Sequence, residues 1–157
     1  MLRSALTALV SALPAPVVEA HCDGPCGVYD PASARVAAEA VLSMTKKLKG
    51  LEAPAAGDAA ALAAFNNTFG RYVAIKEEEA QKTKKELLIL WTDYFKPDHL
   101  ATFPDLHDTF WKAAKLCSAC KVNIDQAKAE ELMAAVEKIH SMFWQSKGRS
   151  DAWVTAS

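Results

Sequence analysis

The stretch His21-Cys22-Asp23-Gly24-Pro25-Cys26-Gly27-Val28-Tyr29-Asp30-Pro31 joins a ligand-rich turn to the start of a helix. His21, Cys22 and Cys26 place an imidazole and two soft thiolates within six residues. If the chain is cut after Ala20, His21 also gains a free α-amine, a donor that no internal residue supplies. The backbone nitrogen of Cys22 lies between that amine and the Cys22 sulfur, so its deprotonation closes two chelate rings and completes a planar N2S2 set. The imidazole is then left for an axial position. Planar nitrogen and thiolate donors favour nickel(II) or copper(II) over zinc, which prefers a tetrahedron. Copper(II) oxidises thiolates, which leaves nickel as the better match. Gly24 and Pro25 ease the turn. The same Cys-x-x-x-Cys spacing also reads as a small disulfide loop that binds no metal.

Working outward, Asp30 and Pro31 carry the signals of an N-cap and first turn. A helix is expected to about Lys49, with Ala37, Val41, Met44 and Leu48 on one stripe and Gly50 as the stop. After a linker containing Pro54, Asp58 is placed to cap a long second helix, or a helix pair broken near Gly70, ending by Pro97. Pro104 suits the first turn of a third helix bearing Leu106, Phe110, Ala114 and Cys117. Asn123 with Gln126 gives a capping-box pattern for a fourth, with Leu132, Val136, Ile139 and Phe143 on its stripe. Four amphipathic helices with short connections predict an all-α, antiparallel up-down four-helix bundle preceded by the N-terminal hook. The chain has 157 residues, enough for one domain with a real core.

Residues 1–20 contain Arg3, an apolar run and a small residue before the proposed cut, the pattern of a weak secretory signal, a propeptide or an organelle-targeting segment. A net charge of −1 gives no reason to expect nucleic-acid binding. No run of about 18 apolar residues predicts a membrane span.

The hook, continued as Tyr29-Asp30-Pro31-Ala32, resembles the signature of the nickel superoxide dismutases. Leu90-Trp91-Thr92-Asp93-Tyr94-Phe95-Lys96-Pro97 is similar to that family's second landmark, and Phe143-Trp144 to its last helix. The resemblance runs from His21 to about Lys147. Gly24 departs from it, since a larger apolar residue is common there.

The resemblance implies a leader or propeptide over 1–20 and a dismutase domain over 21–149, with the hook at 21–29 and the bundle at 30–147. Residues 150–157 are left as a flexible tail. It implies superoxide as substrate, one nickel ion per subunit, a homohexamer, a leader-processing protease and a nickel chaperone. Aqueous nickel(II) is hard to oxidise. Two thiolates, an anionic amide and an axial imidazole from His21, Cys22 and Cys26 would stabilise nickel(III), at the risk of sulfur oxidation by peroxide. Asp23, Tyr29 and Tyr94 match the family positions that line the pocket opposite the histidine, and Lys96 adds positive potential for an anion. Alternatively, Tyr94 and Lys96 simply end a helix. The compartment is open between cytoplasmic or organellar after leader removal and secreted.

The family's axial histidine gives its ring N–H to a glutamate on the first helix, braced by an arginine on the second. Ungapped from the landmarks, these positions are Ala37 and Glu79 here. Glu79 is therefore expected to take over as a single acceptor for His21, against the alternative that Glu77-Glu78-Glu79 is a solvated charge run. Glu39 is a second possible acceptor, but it lies about 200° around the helix from Ala37. Cys117 and Cys120 read as structural thiols, with a disulfide or intersubunit contact as the alternative. His99, His107 and His140 read as surface or loop residues. Two other functions stay open at this point, a nickel-binding or metal-sensing bundle without turnover and a secreted interaction module with a Cys22–Cys26 disulfide.

Overall fold

The computed structural model describes residues 27–156, which form helices and connecting turns with no strand among them. Helix α1 spans Ala32–Lys49, α2 Ala59–Ile89, α3 Leu106–Val122 and α4 Gln126–Ser146. Each packs on two neighbours in a closed square, α1 on α2, α2 on α3, α3 on α4 and α4 on α1. The short connections reverse the chain between successive helices, giving the expected antiparallel four-helix bundle.

Local chemistry explains the starts and stops. Asp30 Oδ1 accepts from the Ala32 N–H at 2.8 Å, and Asp58 Oδ1 from the Ala61 N–H at 2.9 Å, each using a donor that the first helical turn leaves unpaired. Lys46, Lys47 and Lys49 stand at the negative end of α1. The start of α4 differs from the expected box: Asp125, not Asn123, caps it, accepting from the Lys128 N–H at 3.2 Å. Pro104 lies in the turn ahead of α3, whose cap position is Asp105.

Helix α2 runs unbroken through Gly70 for 31 residues, about 46 Å. Nothing lies within 4 Å of a Cβ built at Gly70, so the glycine loosens an exposed surface without bending the helix. The expected stripes form the core, with Val41, Leu132, Val136, Ile139, Phe110 and Phe143 fully enclosed. Residues 59–75 contribute no buried side chain, and the packed part of α2 begins at Lys76.

The helix then widens into a five-residue π turn, Leu90–Tyr94, closed by Phe95 N–H donating to Leu90 O at 3.0 Å. Such wide turns occur often at functional sites.

The last residues do not form the expected free tail. Trp153 packs against the core cluster, and the Ala156 N–H donates to Glu39 Oε1 at 2.7 Å. His140, expected at the surface, is buried on α4, with Nε2 at 3.0 Å from Asp151 O and its ring 5.4 Å from Trp153. An apolar indole and a buried histidine thus tie residues 149–156 back across α4 to α1. Among the described residues no helix is long and apolar enough to cross a membrane.

Candidate metal centre and tyrosine site

Tyr29 precedes α1 and Tyr94 closes the π turn of α2, 65 positions apart in sequence, yet their ring centroids lie 5.5 Å apart at a 54° tilt. The fold brings the two predicted tyrosines together because antiparallel packing sets the start of α1 beside the end of α2. The extra residue in the π turn then advances Tyr94 around the helix towards α4.

An aromatic nest holds Tyr94 there. Its ring packs 4.5 Å from Phe143, 5.0 Å edge-on from Phe95 and 5.8 Å from His99, nearly parallel. Lys147 Nζ sits 5.3 Å from the Tyr94 centroid and 5.0 Å from that of Phe143, within the range of a cation–π contact. The Tyr94 hydroxyl is 2.6 Å from Ser146 Oγ.

Sequence reasoning passed over three members of this nest. His99, expected as a surface or loop residue, accepts from the Lys96 N–H at 2.8 Å through Nδ1 while its ring stacks on Tyr94. Ser146 and Lys147 follow Phe143 by three and four residues, a helical spacing that was the available signal. His107 is exposed as expected and accepts from Trp91 Nε1 at 2.8 Å.

Lys96 is exposed, its Nζ donating to Asp93 O at 2.9 Å. It closes the wide turn while keeping its charge in solvent near Tyr94. His21, Cys22, Asp23 and Cys26 lie outside the described residues. Among the described residues no group of three or more His, Cys, Asp or Glu side chains is arranged to hold a metal.

Helix register bears on Glu79. Lys47 Nζ lies 5.9 Å from the Tyr72 ring centroid, which pairs these levels of α1 and α2. Counting back along the antiparallel pair puts Ala37 within about one turn of Glu79. Ala37 is enclosed and Glu79 half-buried. Glu39 is committed elsewhere: Oε2 lies 3.7 Å from Arg35 Nη1, and Oε1 accepts from Ala156.

Cys117 and Cys120 are free thiols buried at the far end of α3. Burial, then the neighbouring Cys120, pushes the Cys117 thiol up to about 12, and burial pushes Cys120 to about 11. Both are held as thiols, poor nucleophiles and poor metal ligands.

A family profile described as nickel-containing superoxide dismutase matches residues 16–147. The chain is 39% identical over 130 residues to the superoxide dismutase [Ni] of Streptomyces seoulensis, covering 83% of this chain and 90% of that protein. It is 37% identical over 134 residues to the Streptomyces coelicolor protein of the same name, covering 85% and 93%. Among solved structures, native nickel superoxide dismutase at 1.30 Å resembles it with a TM-score of 0.70 at 36% identity, over 82% of this chain and 99% of that one. A form with nickel ligation of the oxidised state gives 0.68 at 38%, over 82% and 99%. By matched length, identity and shared bundle, the chain belongs to the nickel-containing superoxide dismutase family.

Proposed function

We infer that the protein is a nickel-dependent superoxide dismutase, converting two superoxide anions and two protons into dioxygen and hydrogen peroxide. The observation that carries this is the family match over residues 16–147, on a chain whose fold joins Tyr29 to Tyr94. The donor chemistry of the hook fits the metal: two thiolates, a terminal amine and one amide nitrogen form a strongly donating set, to which an imidazole adds. His21, Cys22 and Cys26 would hold one nickel ion per subunit. Bound nickel supplies the one-electron exchange, cycling between its divalent and trivalent states.

The chain's own residues have separate tasks. Asp23, Tyr29 and Tyr94 line the space beside the hook, where the tyrosine hydroxyls hold and orient water by hydrogen bonds for the small anion. Lys96 adds an exposed positive charge, raising the local concentration of superoxide, and Lys147 adds a second beside Tyr94. Glu79 accepts the ring N–H of His21 and fixes its orientation. The one-turn offset between Ala37 and Glu79 and the prior commitment of Glu39 favour this assignment.

Maturation requires removal of residues 1–20 by a protease, with delivery of nickel by a chaperone, in the cytoplasm, in an organelle or on secretion. The mature chain assembles as a homohexamer. The exposed side chains of Leu62 and Phe69 on the unburied half of α2 support assembly. Residues 21–149 form the working domain.

The decisive experiment compares a chain beginning at His21 with one retaining Ala20. The first is expected to bind one nickel per subunit and consume superoxide, whereas the second, lacking the amine of His21, does neither. Equal nickel content and turnover in both would refute the hook as the site. Nickel binding without superoxide consumption in the first would refute the dismutase reading.

A further inference from the structure

Three oxygens stand in a row where the π turn meets the end of α4. Tyr94 Oη lies 2.6 Å from Ser146 Oγ, and Ser146 Oγ lies 2.6 Å from the main-chain carbonyl oxygen of Phe143. Two oxygens this close require a proton between them. The carbonyl has none to give, so the proton in the second gap belongs to Ser146. Donation from a helical serine to a carbonyl one turn back is a common local bond. Ser146 has only one proton, so the proton in the first gap comes from Tyr94. The direction of the chain is fixed: Tyr94 donates to Ser146, and Ser146 donates to Phe143 O.

We propose that Ser146 is a positioning residue for dismutation, holding the Tyr94 hydroxyl proton so that Tyr94 presents only an acceptor to the site. The inference rests on Tyr94 serving the reaction as described under Proposed function. An accepting oxygen cannot donate to superoxide, which is itself an acceptor. It instead receives a hydrogen bond from water, turning that water's second O–H outward as the donor an anion needs. Tyr94 thereby orients a proton source without giving up its own proton. The packing supports a locked hydroxyl: Phe143, Phe95 and His99 pin the ring on three sides.

The test uses the processed, nickel-loaded enzyme with Ser146→Ala, Ser146→Thr, Tyr94→Phe and the double variant Ser146→Ala/Tyr94→Phe. Ser146→Ala is expected to lower kcat/KM about three- to tenfold, the loss of one net hydrogen bond, with Ser146→Thr restored to within about twofold. In the Tyr94→Phe background, Ser146→Ala should cost nothing further. The Raman doublet of tyrosine, read as wild type minus Tyr94→Phe, should report a donating phenol and lose that signature in Ser146→Ala.

An equal cost of Ser146→Ala in both backgrounds would show that Ser146 acts by packing and would overturn the proposal. So would failure of threonine to rescue, unchanged kcat/KM in Ser146→Ala, or absence of the donor signature. A donor signature together with normal turnover of Tyr94→Phe removes Tyr94 from the reaction and the positioning role with it, while leaving the hook untouched. That outcome separates failure of the underlying reading from failure of the inference.

Discussion

Lys76 and Tyr94 stand at opposite ends of the packed part of α2, about 27 Å apart along the helix, and both are polar groups set against another helix's C-terminal end. Lys76 is 1% exposed. Its ammonium donates to the main-chain carbonyls of Cys120, Lys121 at 2.8 Å and Asn123 at 3.2 Å. These groups, at and just past the C-terminal end of α3, include carbonyls without intrahelical partners, and a cation there also meets the negative end of the dipole. Three donors meet three acceptors, so the Lys76 end is closed. The Tyr94 end is not: its hydrogen-bond chain begins at a phenol oxygen that keeps acceptor capacity to spare, and its ring is only half-buried. A polar group that satisfies its neighbours completely holds the fold, whereas one that keeps acceptor capacity on a half-buried side chain can serve a substrate.

The contrast breaks most visibly at Lys76. Lys76→Met should strand buried carbonyls and lower unfolding stability by about 3 kcal/mol, read by chemical denaturation, while turnover per bound nickel stays unchanged. A large loss of turnover without loss of stability would mean that the closed end also serves the reaction. Tyr94→Phe should do the reverse, lowering kcat/KM about thirtyfold if the lost hydrogen bond acts in a partly desolvated site. Its melting temperature should move by only a few degrees.

Glu79→Gln comes next. Weakening the acceptor for His21 should reduce turnover about tenfold with nickel content preserved by metal analysis. Glu39→Gln should leave turnover intact, because that carboxylate already serves Arg35 and Ala156. Unchanged steady-state turnover in Glu79→Gln would return Glu79 to the solvated charge run.

The two ends were unequally legible before the fold was known. Tyr94 was found because Leu90–Pro97 carries a pattern, and the stripes through Val41, Phe110, Leu132 and Phe143 gave the bundle by periodicity alone. Lys76 was invisible: it opens the charged run Lys76-Glu77-Glu78-Glu79, and its burial depends on a helix end 44 residues away. The π turn was equally hidden, since every residue of Leu90–Tyr94 also fits an ordinary helix and only its packing reveals the extra residue. Ser146 carries no sequence signal of its own beyond its place one turn after Phe143, and only the packing of Tyr94 against it gives it a role. Trp153 was the neglected signal in the tail, an aromatic side chain with good reason to leave water.

The smallest effect concerns Cys117 and Cys120, which sharpen the closed end. With thiols held near 12 and 11 against 9.0 for an ordinary cysteine, the folded chain keeps protons that the unfolded chain releases on alkalinisation. Stability from this source is fully present below pH 9 and is lost as pH rises from 9 towards the folded values, by about 1.4 kcal/mol per thiol at pH 10. Replacing both by alanine should therefore flatten the alkaline limb of a denaturation–pH series, whatever the cavity costs at neutral pH. At pH 8 the folded thiolate fraction is about one in a thousand or less. In the metal-free processed protein, a water-soluble thiol reagent should then modify Cys22 and Cys26 and spare the α3 pair until the bundle unfolds. Rapid modification of Cys117 or Cys120 in the folded protein would mean that this end opens, and the contrast between a sealed end and a working end would fail at the residues that show it most simply.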